Sequence, residues 1–206
     1  MKWIVLTALV ISGLYIVMCC MLYALQDRLL YFPTPEGHPA GGTALVVRSG
    51  DVYDALQSRH GRIAVMGRNL GSGVATALAA ARPVEKIIVI TPYDSIARVA
   101  AHHYGWAPVR WLVKDPYDSE RRMRDVHAPV LALIAGRDEV ILRPRSDALV
   151  AAIAPTLRHF KVFPNATHND INLQPERSEG NPAKRRRRDV GQPGYREVMR
   201  EFLAAP

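Results

Sequence analysis

Apolar residues divide the chain into a long uncharged stretch near the N-terminus and a following region of short apolar runs. The short runs predict strands at 44–48, 62–66, 86–91, 130–135 and 158–163. Amphipathic or alanine-rich patterns predict helices at 51–59, 69–81, 146–154 and 195–203. Strands that alternate with helices and are apolar on both faces predict an α/β fold with a parallel sheet of about four or five strands.

The uncharged stretch, residues 3–25, is long enough to cross a bilayer, which takes about 20 apolar residues in a helix. Its exit has no Ala-x-Ala pattern, so we predict an uncleaved anchor at 1–26 and membrane lipid as its partner. Cys19 and Cys20 lie inside it and form no disulfide framework. Lys2 and the amino terminus, set against Asp27 and Arg28, favour a single-pass protein with its domain on the outer (periplasmic or extracytoplasmic) side.

After the anchor, residues 27–61 are predicted to be a linker and a remnant N-terminal part, and residues 62–206 to form the main domain. A polar insertion is predicted at about 174–194. The net charge of +8 depends strongly on this insertion, because five basic residues follow one another at 184–188. No aromatic residue is interleaved with them, so we expect a solvated loop and no nucleic-acid partner, with lipid headgroups possible if the domain faces the cytoplasm.

Three loops that follow predicted strands carry residues with chemical potential. They read GRNLG at 67–71, GRDE at 136–139 and NATHND at 165–170. The first is a strand–turn–helix junction with glycines at both ends, and we expect Gly67 and Gly71 to allow the helix to pack close to the strand. Carboxyl ends of parallel strands share one edge of a sheet, so Asn69, Asp138 and His168 are expected to lie near one another.

In this order, the runs GRNLGSGVA, LIAGRDEVI and NATHND resemble membrane-anchored α/β-hydrolases of the serine aminopeptidase-like, bud-emergence-protein-related group. The run LLYFP after the anchor is similar to that group too. The resemblance implies a reduced α/β-hydrolase-type sheet, with 62–206 as the C-terminal part of the domain. It also implies ester or amide hydrolysis with Asp138 as acid, His168 as base, the Leu70 N–H as oxyanion donor, small esters or amides as substrates, and no cofactor or metal.

The chain departs from that family at the nucleophile, where Asn69 stands in place of serine. An amide nitrogen shares its lone pair with its own carbonyl and cannot attack a substrate as a serine alkoxide does. We therefore predict an impaired or inactive hydrolase. One alternative is a working enzyme that uses Ser72, one helical turn further on.

A second departure is length. Family members place four strands and an oxyanion loop before the nucleophile strand, which takes on the order of 70 residues. Only 30 residues separate Tyr31 from Arg62. The strand before Asn69 is then expected at or near an edge of the sheet, where it would invite self-association. A non-catalytic, membrane-tethered binding module is therefore another alternative.

A third alternative uses the same turn for a dinucleotide. Gly67, Gly71 and Gly73 have the spacing of a nucleotide-binding loop, and Asp94 follows the next strand, where it could bind a ribose hydroxyl. No tyrosine in the region after it is followed four residues later by lysine, as the dehydrogenases with this spacing require.

Two further groups of residues have a structural and a functional interpretation. His102, His103 and His127 lack the spacing of a metal site, so we expect surface or partly buried histidines. Aromatic residues cluster in the irregular segment 92–125. We expect them to pack a cap-like segment, and their alternative role is to line a site for apolar substrates; they are Tyr104, Trp106, Trp111 and Tyr117.

Overall fold

The computed structural model describes residues 2–30, 49–173 and 194–205. The predicted strand at 44–48 and the basic run at 184–188 lie outside these residues. The described residues belong to two compact units. One contains the N-terminal helix and residues 100–116, and the other contains the sheet with its flanking helices.

Eight α-helices and four strands are described, together with a short 3-10 helix at Ile171–Leu173. The strands are β1 (Ala64–Arg68), β2 (Lys86–Ile90), β3 (Val130–Ala135) and β4 (Arg158–Phe163). The helices are α1 (Lys2–Leu30), α2 (Ser49–Gln57), α3 (Leu70–Ala81), α4 (Ile96–His103), α5 (Val109–Leu112), α6 (Ser119–Met123), α7 (Arg143–Ala152) and α8 (Tyr195–Ala204).

All four strands are parallel and are ordered β1-β2-β3-β4, so the predicted α/β fold with a parallel sheet is confirmed. β1 begins and ends two residues later than predicted, because Gly67 and Arg68 still pair with Val89 and Ile90 of β2. Helix α7 begins three residues earlier than predicted, with a proline in its first turn, where the missing N–H costs nothing.

The core lies on both faces of the sheet, because alternate residues of a strand point to opposite faces. One face of β2 and β3 packs against α3 and α7 through Ile87, Val89, Val130, Ala132 and Ile134. The other face packs against α8 through Ile88, Ile90, Leu131 and Leu133. The two central strands are therefore buried throughout, as expected for a parallel sheet covered on both sides.

β1 is an edge strand in the part of the chain that the structure describes. The carbonyl of Ile63 accepts a hydrogen bond from Glu85, and the N–H of Asn69 donates to Ile90. The odd-numbered residues of β1 therefore direct their backbone groups toward β2. The backbone groups of Ala64, Met66 and Arg68 point toward the open edge, because successive residues of a strand alternate.

By its length and composition, helix α1 is long and apolar enough over Lys2–Gln26 to cross a bilayer, and little of it is buried. Within its unit, α1 contacts α5.

The prediction that the aromatic cluster packs a cap-like segment is wrong for Tyr104, Trp106 and Trp111, because more than half of each side chain is exposed. Tyr117 alone packs against a buried cluster, formed by Tyr93, Val99 and Ile141.

Candidate active site

The three loops singled out in the sequence follow the carboxyl ends of three parallel strands. Asn69 directly follows β1, Asp138 comes three residues after β3, and His168 comes five residues after β4. Since parallel strands end at a common edge, the topology places these loops on one side of the sheet. The structure thus places Asn69, Asp138 and His168 on three loops at the same edge of the sheet.

Asn69 forms a strained turn between β1 and α3. Its backbone has φ 52° and ψ −124°, a conformation that residues other than glycine rarely adopt. The N–H of Asn69 donates to the carbonyl of Ile90, 2.9 Å away, which fixes the turn to the end of β2. Such a conformation costs about 1–3 kcal/mol and persists only where the surrounding structure imposes it.

Close packing imposes the turn. A Cβ atom on Gly67 would lie 2.1 Å from the carbonyl oxygen of Gly71 and 2.7 Å from the Cβ of Ala75. The prediction that Gly67 lets the helix approach the strand is therefore confirmed. The same prediction is wrong for Gly71, where a Cβ would meet nothing within 4 Å.

The second glycine that packing requires is Gly73. A Cβ there would lie 2.2 Å from the hydroxyl oxygen of Tyr93 and 3.3 Å from the hydroxyl of Ser119. Tyr93 is fully buried, and its hydroxyl donates to the carbonyl of Leu70 at 3.2 Å. Tyr93 therefore packs against the first turn of α3 and is hydrogen-bonded to it. No local sequence pattern indicates this contact.

Ser72 does not occupy the position of a nucleophile. Its side chain is fully buried, and its hydroxyl donates to the carbonyl of Asn69 at 2.7 Å. The hydroxyl is therefore directed at the backbone of the turn. In this arrangement Ser72 stabilises the strained residue, and the alternative in which it replaces the missing serine receives no support.

Asp138 and His168 form a buried, hydrogen-bonded pair. The Nδ1 atom of His168 lies 2.9 Å from both carboxylate oxygens of Asp138. Asp138 is 8% exposed and His168 is 4% exposed. Oδ1 of Asp138 also accepts hydrogen bonds from the N–H groups of Val140 and Ile141, at 2.9 and 2.7 Å. The carboxylate is therefore fixed by its own loop, and it holds the imidazole with Nδ1 as donor and Nε2 facing away.

Backbone contacts keep the two loops of this pair together. Gly136 N–H donates to Phe163 at 2.8 Å, and Arg137 N–H donates to Ala166 at 2.8 Å. A Cβ on Gly136 would lie 2.7 Å from the backbone of Pro164, so a glycine is required where the loops cross.

Arg68 joins the turn of Asn69 to the loop of His168. One guanidinium nitrogen donates to the carbonyls of His168 at 3.2 Å and Asn169 at 3.1 Å. The other terminal nitrogen lies 3.5 Å from the side-chain oxygen of Asn172. We call residues 165–170, the loop that carries His168, the base loop. Because Arg68 immediately precedes Asn69, this bridge joins the base loop to the turn of Asn69. The sequence gives no local signal for this role.

Leu70 is the first residue of α3, so its N–H has no acceptor within the helix and points out of the helix N-terminus. This is the position predicted for an oxyanion donor. The arrangement as a whole offers an acid–base pair, a helix N-terminus and a strained turn. If a hydroxyl stood at position 69, these groups are the ones that acyl transfer uses.

The dinucleotide alternative is not supported. Asp94, the residue expected to bind a ribose, is buried and accepts hydrogen bonds from Arg98 at 3.1 Å and Arg145 at 3.0 Å. Gly73 packs against Tyr93, as described above. β1 is also an edge strand among the described residues, whereas the nucleotide-binding loop follows a central strand.

No group of three or more potential metal ligands is present among the described residues. His102 and His103 are exposed, and their rings contact each other edge to face with centroids 5.4 Å apart. His127 is also exposed. The exposure of all three agrees with the expectation of surface histidines.

No protein-family model matches the chain. Two uncharacterized proteins of Mycobacterium tuberculosis, one from strain H37Rv and one from strain CDC 1551, are each 43% identical to it over 112 residues. The match covers 54% of this chain and 40% of each relative. The chain thus spans less than half the length of the curated relatives that it matches.

Solved structures with a partial likeness include three proteins. The esterase domain of a Rhodothermus marinus protein has 18% identity and a TM-score of 0.45, over 57% of each chain. A monoacylglycerol lipase of Paleococcus ferrophilus has 18% identity and a TM-score of 0.43, over 58% of this chain and 65% of its own. A hydrolase from Pseudomonas aeruginosa has 17% identity and a TM-score of 0.44, over 65% of this chain and 70% of its own.

Proposed function

We propose that this chain is a membrane-anchored protein of the α/β-hydrolase superfamily that descends from ester or amide hydrolases and is catalytically impaired. The observation that carries the proposal is the strained backbone of Asn69, with φ 52° between a strand and a helix. The strained backbone gives the asparagine amide no catalytic function, because an amide is not a nucleophile. A serine nucleophile does, because the turn lifts its hydroxyl out of the sheet toward a substrate.

The buried pair of Asp138 and His168 supports the same proposal. With serine at position 69, Nε2 of His168 would take the hydroxyl proton while the oxygen attacks a substrate carbonyl. Asp138 would stabilise the resulting imidazolium, and the N–H of Leu70 would donate to the oxyanion. His168 would then return the proton to the leaving alcohol or amine. With Asn69 in this position, there is no hydroxyl oxygen to form a bond to the substrate carbonyl carbon, so the reaction does not begin.

Within the superfamily, we assign the chain to the serine aminopeptidase-like, bud-emergence-protein-related group. The assignment rests on the three loop sequences in their order and on α1, which has the length of a membrane span. We place the sheet domain on the outer side of the membrane, because the few charges near α1 favour an inner N-terminus.

Hydrolysis of p-nitrophenyl acetate tests this function. The full chain in detergent is compared with Asn69→Ser and with the control Asn69→Ala. A nucleophile contributes about 10⁶ to kcat in a complete triad, and one missing oxyanion donor costs about 10²–10³. We therefore expect Asn69→Ser to exceed Asn69→Ala by about 10³ in rate, with the unsubstituted chain equal to Asn69→Ala. Equal rates for Asn69→Ser and the unsubstituted chain would contradict the proposal.

A second candidate function is that of a non-catalytic, membrane-tethered module that self-associates through β1. The outward backbone groups of Ala64, Met66 and Arg68 favour it, since an open edge pairs readily with another strand. Light scattering of the detergent-solubilised chain is expected to show a dimer, and Met66→Lys is expected to dissociate it by placing a charge at the edge. A parent chain that is already monomeric would exclude this function.

A further inference from the structure

Besides Trp3 of α1, two tryptophans in the unit that contains α1 are strongly exposed. Trp106 is 52% exposed and Trp111 is 86% exposed. Tyr104, two residues before Trp106, is 54% exposed. Tryptophan is the largest apolar side chain, and its indole N–H gives it one polar edge. Residues of this kind are enriched at the boundary between lipid and water. We call residues 104–114 the tryptophan segment.

The tryptophan segment follows one side of α1. The hydroxyl of Tyr15 donates to the carbonyl of Trp106 at 3.0 Å. The side-chain amide of Gln26 donates to the carbonyl of Leu112 at 3.0 Å and accepts from the N–H of Lys114 at 3.1 Å. Between Tyr15 and Gln26, the less exposed residues of α1 recur with helical spacing; they are Met18, Cys19 and Leu22. The segment therefore covers the only stripe of α1 with reduced exposure among the described residues.

The length of this contact determines how deep the segment reaches. Gln26 lies eleven positions after Tyr15, which is about 16 Å along a helix. Each headgroup layer is only about 5–8 Å thick. When α1 crosses the bilayer upright, a segment that follows it for about 16 Å extends from the headgroups at Gln26 into the hydrocarbon at Trp106.

Polar groups are matched along this path. A backbone carbonyl in hydrocarbon needs a hydrogen-bond donor, and a polar side chain on a membrane helix needs a partner. Tyr15 and Gln26 supply donors to two carbonyls of the segment, so each satisfies the other. The ammonium of Lys114 lies 5.0 Å from the centre of the Tyr23 ring, near the end of α1. A lysine and a tyrosine at this level are typical of the headgroup layer.

We propose that the tryptophan segment is a second membrane-embedded element, which inserts into the bilayer beside the C-terminal half of α1 with Trp106 deeper than Lys114. Its partner is the lipid bilayer, whose acyl chains and headgroups contact Trp106 and Trp111. Arg110, exposed beside Trp111, extends its guanidinium to the lipid phosphates. The proposal rests on the membrane anchoring of α1 and is independent of the hydrolase site.

The chain has three tryptophans, which makes the test direct. Single-tryptophan chains retain Trp3 (Trp106→Phe with Trp111→Phe), Trp106 (Trp3→Phe with Trp111→Phe) or Trp111 (Trp3→Phe with Trp106→Phe). Each full chain is reconstituted in phosphatidylcholine vesicles with brominated acyl chains, and acrylamide is the aqueous quencher. We expect bromolipid quenching of Trp106 and Trp111 within about twofold of that of Trp3, with blue-shifted emission.

Trp3, at the start of α1, separates failure of this proposal from failure of the anchor. Quenching of Trp3 by bromolipid, with Trp106 and Trp111 quenched by acrylamide alone, would leave the anchor intact and overturn the proposal. Absence of bromolipid quenching at all three would overturn both.

A substitution in α1 tests the hydrogen bonds that hold the segment. Gln26→Leu removes the donor to Leu112 and the acceptor for Lys114, so bromolipid quenching of Trp111 should fall and acrylamide quenching should rise. Thr7→Val is the matched control, because the Thr7 hydroxyl donates to the carbonyl of Trp3, within its own helix, at 2.8 Å. Equal quenching of Trp111 in the two variants would contradict a segment held by Gln26.

Discussion

His168 lies with its Nδ1 atom 2.9 Å from both carboxylate oxygens of Asp138, and both side chains are buried. A histidine held in this way has a fixed tautomer and a fixed ring orientation, which are the properties required of a general base. The pair lies on the same side of the sheet as the strained turn of Asn69. A buried Asp–His pair with the geometry of a general base therefore lies on the same side of the sheet as Asn69, whose amide cannot act as a nucleophile.

The two glycines near the start of α3 are predicted to respond oppositely to alanine. Gly73→Ala places a methyl group 2.2 Å from the buried hydroxyl of Tyr93, and overpacking of this kind costs about 1–3 kcal/mol. Gly71→Ala meets open space and is expected to be neutral or to raise stability by up to about 1 kcal/mol. Urea unfolding of the full chain in detergent, followed by circular dichroism, measures both.

Gly71→Ala serves as the control for a change of helix propensity, since both glycines lie in α3. Equal free energies of unfolding for the two variants would mean that Tyr93 does not pack against Gly73 in solution.

Arg68 is predicted to position the base loop. In the Asn69→Ser chain, Arg68→Met removes the donors to the carbonyls of His168 and Asn169 while it retains much of the side-chain length. A small displacement of a catalytic group costs up to about 10²-fold in rate, so we expect ester turnover to fall by about 10–100-fold. Arg62→Met is the control, because Arg62 pairs with Glu85 at the opposite end of β1 from Arg68. Unchanged turnover in Arg68→Met would refute the positioning role.

Glu120 is predicted to make stability depend on pH. Hydrogen bonds from Arg98, and then from Arg124, hold the pKa of the Glu120 carboxyl below its ordinary value. A carboxyl with a lowered pKa in the folded state stabilises it above the unfolded pKa. This stabilisation is lost as the pH falls through the folded pKa.

The free energy of unfolding should therefore fall more steeply with acidification, below about pH 4.5, in the parent chain than in Glu120→Gln. At pH 7 the parent should be the more stable of the two, and the difference should shrink in acid. Glu201→Gln, an exposed position on α8, is the control. A difference between parent and Glu120→Gln that stays constant with pH would contradict this prediction.

Local pattern was sufficient to predict most of the fold. β3 and β4 have their predicted bounds, because each strand sequence is flanked on both sides by residues that are typical of loops. β1 was misplaced by two residues, since Gly67 and Arg68 have the composition of a turn and are strand residues only through pairing with β2. The three loops that carry Asn69, Asp138 and His168 each follow a predicted parallel strand. Because the carboxyl ends of parallel strands lie at one edge of the sheet, their location on one side of the sheet could be predicted.

Contacts between distant residues could not be predicted in this way. The contact between Gly73 and Tyr93, the bridge from Arg68 to the base loop and the hydrogen bonds of Gln26 each join segments far apart in sequence. None of them alters the local periodicity of apolar residues. The exposure of Trp106 and Trp111 was mispredicted for the same reason, because a cluster of aromatic residues in sequence does not specify what covers it.

Labelling with a fluorophosphonate probe, followed by peptide mapping, shows whether His168 and the turn of residue 69 can activate a serine, because the probe reacts only with activated serines. The full chain is compared with Asn69→Ser and with Asn69→Ser combined with His168→Ala. We expect labelling of the Asn69→Ser chain alone, at position 69, and its loss when His168 is replaced by alanine. Labelling of the unsubstituted chain at Ser72 or another serine would contradict an impaired hydrolase site, as would an Asn69→Ser chain that remains unlabelled.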